Sequence, residues 1–238
     1  MDQPLRIIAM WSGPHNISTA MMRAWENRPD CAVSDEPLYA AWLSLSGADH
    51  PGREGVMAAR ERNWRKVVAE LTRGPMPDGQ AIWYQKHMCH HLDPSIRLDW
   101  IAELTNVFLI RRPDEVVASY VRARGTEDIT PEDVGLPQQA MLFDWLEKTT
   151  GRLPPLIDGG EFLTDPEGHL RALWDWLEPC RTYRRCHNHP VLECRWLGVE
   201  SANERRSTLE RATIIFTSGF QRFLNPFLDT NPQTVKRR

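Results

Sequence analysis

Residues Arg6 to Met22, RIIAMWSGPHNISTAMM, decide the fold. Arg6 to Trp11 is a short apolar run bounded by a turn signal, the pattern of a buried strand. Ser12-Gly13-Pro14-His15-Asn16 turns the chain. Ser18 or Thr19 then caps a helix that sets Met21, Met22 and Trp25 on one face. A helix whose N-terminus faces a tight turn offers unpaired N–H groups and the positive end of its dipole, which together favour an anion. The hydroxyls of Ser18 and Thr19 add two donors. The stretch therefore reads as a phosphate-binding loop, although an ordinary strand–turn–helix unit carries the same local signature. A nucleoside-triphosphate loop wants Gly-x-x-x-x-Gly-Lys-[Ser/Thr], and counting from Gly13 puts Ser18 at the second glycine and Thr19 at the lysine. The dinucleotide pattern Gly-x-Gly-x-x-Gly is absent as well.

Outward from this stretch, Cys31 to Ser34 reads as a second strand running into Asp35-Glu36-Pro37, at the strand end where open α/β sheets bind ligands. Ala40 to Gly55, rich in Gly, Ser, Ala and Pro, reads as a loop over that edge. Val56 to Leu71 carries Met57, Trp64, Val67, Val68 and Leu71 at helical spacing. Ala81 to Gln85 is a third strand, ending in Lys86-His87-Met88-Cys89-His90-His91. Asp93 and Pro94 open a helix to about Leu104. Asn106 to Ile110 is the fourth strand and runs into Arg111-Arg112-Pro113-Asp114-Glu115, a helix start with Pro first and acids in the opening turn. Arg124 to Pro137 reads as loop, and Met141, Leu142, Trp145 and Leu146 mark the next helix. Leu156 to Asp158 is a fifth strand, and Asp165-Pro166-Glu167 opens a helix with Leu170, Leu173, Trp174 and Leu177. A last helix is expected around Leu209 to Phe220. Alternating strands and helices imply a mostly parallel sheet of about five strands with helices on both faces. The loop, Asp35-Glu36, Lys86–His91 and Arg111–Ser119 then all fall on one rim.

The chain has 238 residues, 26% charged and 41% hydrophobic, with a net charge of −3. This is one globular α/β domain over residues 1–238, irregular from about residue 179. The charge gives no reason to expect a nucleic acid or an anionic membrane as partner. No apolar run approaches the ~20 residues of a membrane span, and the N-terminus has no export signal. Cys31, Cys89, Cys180, Cys186 and Cys194 form no disulfide framework, so a reducing cytoplasm is expected. His87-x-Cys89-His90-His91 and the Cys180–Cys194 stretch contain metal-ligand residue types without paired Cys-x-x-Cys knuckles, and no metal is expected.

The second informative stretch is Val107 to Tyr120, VFLIRRPDEVVASY. Ser119 lies two helical turns beyond Arg112 on one face, so an Arg at the strand end and this Ser are placed to grip one phosphate from two sides. Arg111, Pro113, Glu115 and Ser119 resemble the 3′-phosphate motif of the sulfotransferase family, Arg-x-Pro-x-[Asp/Glu]-x-x-x-Ser, with every fixed position filled. Pro14-His15-Asn16-Ile17-Ser18-Thr19 resembles that family's 5′-phosphosulfate loop, Pro-[Lys/Arg]-Ser-Gly-[Ser/Thr]-Thr. His15 stands at the family's basic position and Ile17 at its glycine. Asp35-Glu36-Pro37 is similar to the Glu-Pro segment of bacterial and carbohydrate sulfotransferases. Phe162 to Glu167 resembles the later segment in which a strand passes into a helix.

The resemblance implies a three-layer P-loop-type fold and transfer of a sulfuryl group from 3′-phosphoadenosine 5′-phosphosulfate to a hydroxyl or amine of a small-molecule acceptor. It implies donor binding by Pro14, His15, Asn16, Ile17, Ser18, Thr19, Arg111 and Ser119. His15 and Lys86, with the loop N–H groups, are candidates to absorb charge on the leaving phosphate, and Glu36 or His87 to accept the acceptor's proton. His90 and His91 are further candidates for the base. Trp11 and Trp42 are either core or pocket lining. Two other classes remain open: a phosphoryl-transfer enzyme, which would need a loop lysine and a magnesium-holding hydroxyl, and a non-catalytic nucleotide-binding or interaction protein.

Overall fold

The computed structural model describes residues 6–125 and 128–177. Five strands form one parallel sheet: β1 (Arg6–Ser12), β2 (Cys31–Asp35), β3 (Ile82–Met88), β4 (Thr105–Ile110) and β5 (Leu156–Asp158), in the order β2-β3-β1-β4-β5. β1 is central, with Met10 opposite Lys86 and Trp11 opposite His87 on one side, and Ser12 opposite Leu109 on the other. The β1 loop and Arg111 therefore follow adjacent strands.

Alternation along the strands builds a core on each face of the sheet. On one face Ile8, Met10, Tyr84, Val107 and Leu109 pack under α1 (Ser18–Glu26), α7 (Gly159–Thr164) and α8 (Pro166–Leu177), through Met21, Met22, Trp25, Phe162, Leu173 and Leu177. On the other, Trp11, Trp83 and Phe108 pack against α4 (Trp64–Arg73) and α6 (Leu136–Thr150), through Val67, Leu71, Leu142, Phe143 and Leu146. α5 (Pro113–Arg124) buries Val116 and Val117 against Ile129, Val134 and Leu136. The three-layer arrangement agrees with the fold expected from the pattern.

Several local expectations are corrected. Ala40 to Gly55 is not a loop: α2 (Tyr39–Ser46) and the start of α3 (Arg53–Ala59) occupy it, and Ala40, Ala41 and Leu43 are fully buried. The single helix expected from Val56 to Leu71 is two, broken at residues 60–63. The helix expected after Pro94 does not form. Asp93 takes the Ser95 N–H and hydroxyl in a local turn, and only a 3₁₀ segment, Asp99–Glu103, follows. Phe162 to Glu167 joins helix to helix, α7 to α8, where a strand-to-helix passage was expected. The helix expected at Leu209 to Phe220 lies outside the described residues.

Candidate functional site

The loop after β1 is shaped by close packing as much as by capping. A Cβ on Gly13 would sit 2.5 Å from the Val134 carbonyl oxygen, so only glycine lets the turn pass that backbone. Asn16 is buried and donates its amide to the Leu109 carbonyl at the end of β4, 3.2 Å away. Neither Ser18 nor Thr19 caps α1. The N-cap is Ile17 in the left-handed region (φ 54°), with no side-chain cap. A β-branched residue there carries strain of about 1–2 kcal/mol. Packing against Gly159, at the start of α7, holds it in place. The first helical bond runs from the Met21 N–H to the Ile17 carbonyl at 3.1 Å, which leaves Ser18, Thr19 and Ala20 without helical acceptors. Ser18 is buried and Thr19 exposed at this end.

Arg111 and Ser119 both meet the loop. Arg111 donates from Nη1 to the His15 carbonyl at 3.1 Å and from Nε to Glu115 at 2.8 Å. The Ser119 hydroxyl lies 3.0 Å from His15 Nδ1, and the His15 ring packs edge-on to Tyr120. Burial lowers the His15 pKa from the usual histidine value, and the Arg124 and Arg111 guanidiniums lower it further.

At the ends of β2 and β3, Lys86 extends between two carboxylates. Its Nζ donates to Asp35 Oδ1 at 2.8 Å and to Glu36 Oε1 at 2.7 Å. The Lys86 side chain is 3% exposed and that of Glu36 23%. Glu36 itself takes a positive φ of 48°, its N–H bonded to the Lys86 carbonyl and its carbonyl to Arg60. A cleft of about 310 Å³ adjoins Asp35, with Arg60, Glu70, Leu71 and Trp83 in its walls.

His87 points the other way. It is 1% exposed, stacks 4.4 Å from Trp11 and donates from Nε2 to Gln85 Oε1 at 3.2 Å. Burial holds its pKa down at about 3. The parity of β3 sends Lys86 to the rim and His87 into the core, so His87 leaves the set of candidate bases. Trp11 is core too. His91 stacks on Tyr39 at 5.0 Å and is 2% exposed, while His90 is driven to about 4 by burial. The half-buried Trp42 packs on both. His50 links the Tyr39 hydroxyl to the Arg124 guanidinium. Among the described residues no cluster of His, Cys, Asp or Glu is placed to hold a metal, the His87–His91 stretch included. The Cys180–Cys194 stretch lies outside them.

Some contributors carry no local signal. Gln139 of α6 is fully buried and donates to the Trp11 and Leu109 carbonyls at 3.3 and 2.9 Å, tying together the tips of β1 and β4. Arg60, between α3 and α4, donates to the Asp35 and Glu36 carbonyls.

A parallel α/β sheet thus brings the start of α1, an arginine from the neighbouring strand and a lysine–carboxylate group to one rim. A family model described as a sulfotransferase domain matches residues 5–174. The chain belongs to the sulfotransferase family. Two Arabidopsis thaliana proteins, branched-chain-amino-acid aminotransferase-like proteins 2 and 1, are each 31% identical, over 177 and 178 residues. Those alignments cover 73% and 75% of this chain but only 30% and 31% of the plant proteins. The crystal structure of a sulfotransferase from Alicyclobacillus acidocaldarius aligns over 96% of this chain and 98% of its own, at 13% identity and a TM-score of 0.47. Among the described residues no helix is long and apolar enough to cross a membrane.

Proposed function

We propose that this chain transfers a sulfuryl group from 3′-phosphoadenosine 5′-phosphosulfate to a hydroxyl or amine of a small-molecule acceptor in the cytoplasm. The observation that carries the reading is the meeting of two distant motifs at His15. Arg111 and Ser119, 96 and 104 residues further along the chain, lie 3.1 and 3.0 Å from that one loop residue. The groups gathered there are mostly hydrogen-bond donors: the N–H groups of Ser18, Thr19 and Ala20, the hydroxyls of Ser18, Thr19 and Ser119, and the remaining Arg111 hydrogens. A doubly phosphorylated adenosine fits that donor set.

In this reading the acceptor oxygen or nitrogen attacks sulfur in line while the bond from sulfur to the 5′-phosphate oxygen breaks. The acceptor's proton passes to the Glu36 carboxylate. Charge develops on the departing phosphate oxygen and is met by the α1 N–H groups and by Lys86. An ammonium has three protons, and Asp35 and Glu36 engage two of them, so one stays available. Calorimetry with 3′-phosphoadenosine 5′-phosphate tests the donor half. Micromolar binding is expected, falling at least tenfold in Arg111→Ala, with AMP binding more weakly than the doubly phosphorylated nucleotide. Equal affinity for the two nucleotides would refute it. A second reading, nucleotide binding without turnover, draws on the strained Ile17, which narrows the loop at the family's glycine position. Donor bound tightly with no label passed to phenols, sugars or amines would favour that reading.

A further inference from the structure

By the sequence resemblance, His15 occupies the loop position expected to face the leaving group. Its surroundings here are different. The backbone of His15 is left-handed (φ 59°). Its ring lies against α5, with Nδ1 3.0 Å from the Ser119 hydroxyl and the ring centroid 5.4 Å from that of Tyr120, edge-on. Its carbonyl is held by Arg111. The ring is thus seated among the residues of the second motif, and the charge-absorbing task at the first is left to the α1 N–H groups and Lys86.

We propose that His15 is a specificity-determining residue of the donor site, which recognises the 3′-phosphate together with Arg111 and Ser119 and takes no part in stabilising the leaving group. The inference rests on the donor assignment made above. Nε2 of His15 makes no hydrogen bond to another described residue, so one ring nitrogen is spare while Ser119 fixes the other. A protonated ring offers two N–H donors and a full charge, which suits a phosphate dianion.

The groups facing this ring are Arg111, Arg124, Ser119 and Tyr120, with Glu115 one step removed through Arg111. In the free protein partial burial, and then the two guanidiniums, disfavour the charged ring. A bound dianion reverses that electrostatic sign and draws a proton onto the ring. Donor recognition is then coupled to proton uptake: the 3′-phosphate is preferred more strongly as the solution becomes more acidic, down to the pH where the free ring itself protonates.

The experiment is calorimetry on the full chain with 3′-phosphoadenosine 5′-phosphate and with AMP, at pH 6, 7 and 8. Wild type, His15→Asn and Ser119→Ala are compared. Asparagine tolerates the left-handed backbone and keeps one hydrogen-bonding group, but it cannot take a proton. The ratio of the two affinities is expected to drop about tenfold in His15→Asn and to lose its pH dependence, while AMP affinity changes less than about threefold. Ser119→Ala lowers the ratio and leaves a pH slope. A ratio unchanged in His15→Asn overturns the inference and leaves the donor assignment standing, and a selective fall in turnover beside it would return His15 to the leaving group. A wild-type ratio of one overturns both.

Discussion

Replacing His87 by glutamine changes how the fold responds to acid, and the size of the effect follows from its surroundings. The imidazole is fully buried, lies between Trp11 and Trp100, and among the described residues bonds only to the neutral amide of Gln85. Burial lowers its pKa from 6.5 to about 3. As pH falls, the unfolded chain takes up this proton before the folded one does. The stability linked to His87 is therefore intact above about pH 6.5 and drains away as the pH drops toward about 3. Well inside that window the loss is about 1.4 kcal/mol per pH unit. From about pH 6.5 to about pH 4.5 it integrates to about 2 kcal/mol, against a total stability of about 5–15 kcal/mol for a domain. His90 and His91 are depressed by burial as well, so the wild type should lose stability steeply in mild acid. Urea unfolding followed by tryptophan fluorescence measures this. His87→Gln is expected to be less stable than wild type near neutrality, because packing on Trp11 is lost. The gap should narrow by about 2 kcal/mol on going to about pH 4.5. A gap independent of pH, or a His87 ring resonance titrating near 6.5, would refute the reasoning.

Two further outcomes follow from the site. Lys86→Met leaves Asp35 and Glu36 facing each other without their shared cation, and the half-exposure of Asp35 limits the cost to about 2 kcal/mol, readable as a lowered melting temperature; the same variant should lose transfer activity while still binding 3′-phosphoadenosine 5′-phosphate. Gly13→Ala pushes a methyl group against the Val134 carbonyl, so thermal melting should show a loss of about 1–3 kcal/mol and calorimetry a fall in nucleotide affinity of tenfold or more. An unchanged affinity in that variant would mean that the loop does not touch the ligand.

The sheet could be read from sequence because its strands advertise themselves. RIIAMW and NVFLI are short apolar runs closed by strong turn or helix-start signals, and Pro113 with its two acids marks the opening of α5. Their register relative to one another could not, since strand order depends on packing between distant segments. α2 was hidden by composition: a run of alanine, leucine and serine ending in glycine looks like loop until Ala40, Ala41 and Leu43 find a surface to cover. Pro94 misled although Ile96, Trp100 and Leu104 follow at helical spacing, because Asp93 satisfies the Ser95 backbone locally and closes a turn there. At the site, the adjacency of Lys86 and His87 concealed opposite fates. Alternation along a strand separates them, but which one faces the rim depends on the layers covering each face. Arg111 and Ser119 both reach His15, and Gln139 and Arg60 act through contacts that no local pattern encodes.

The bond pattern of Gln139 bears on motion. One side-chain amide reaches the backbone at the tips of two adjoining strands, and the segments that follow those tips carry the loop and Arg111. Fluctuations of α6 should carry both segments in step, conserving the interval between them while their common location wanders. Cutting that amide would blur the interval first, so a ligand that must touch both ends at once would feel the loss sooner than one that touches either alone.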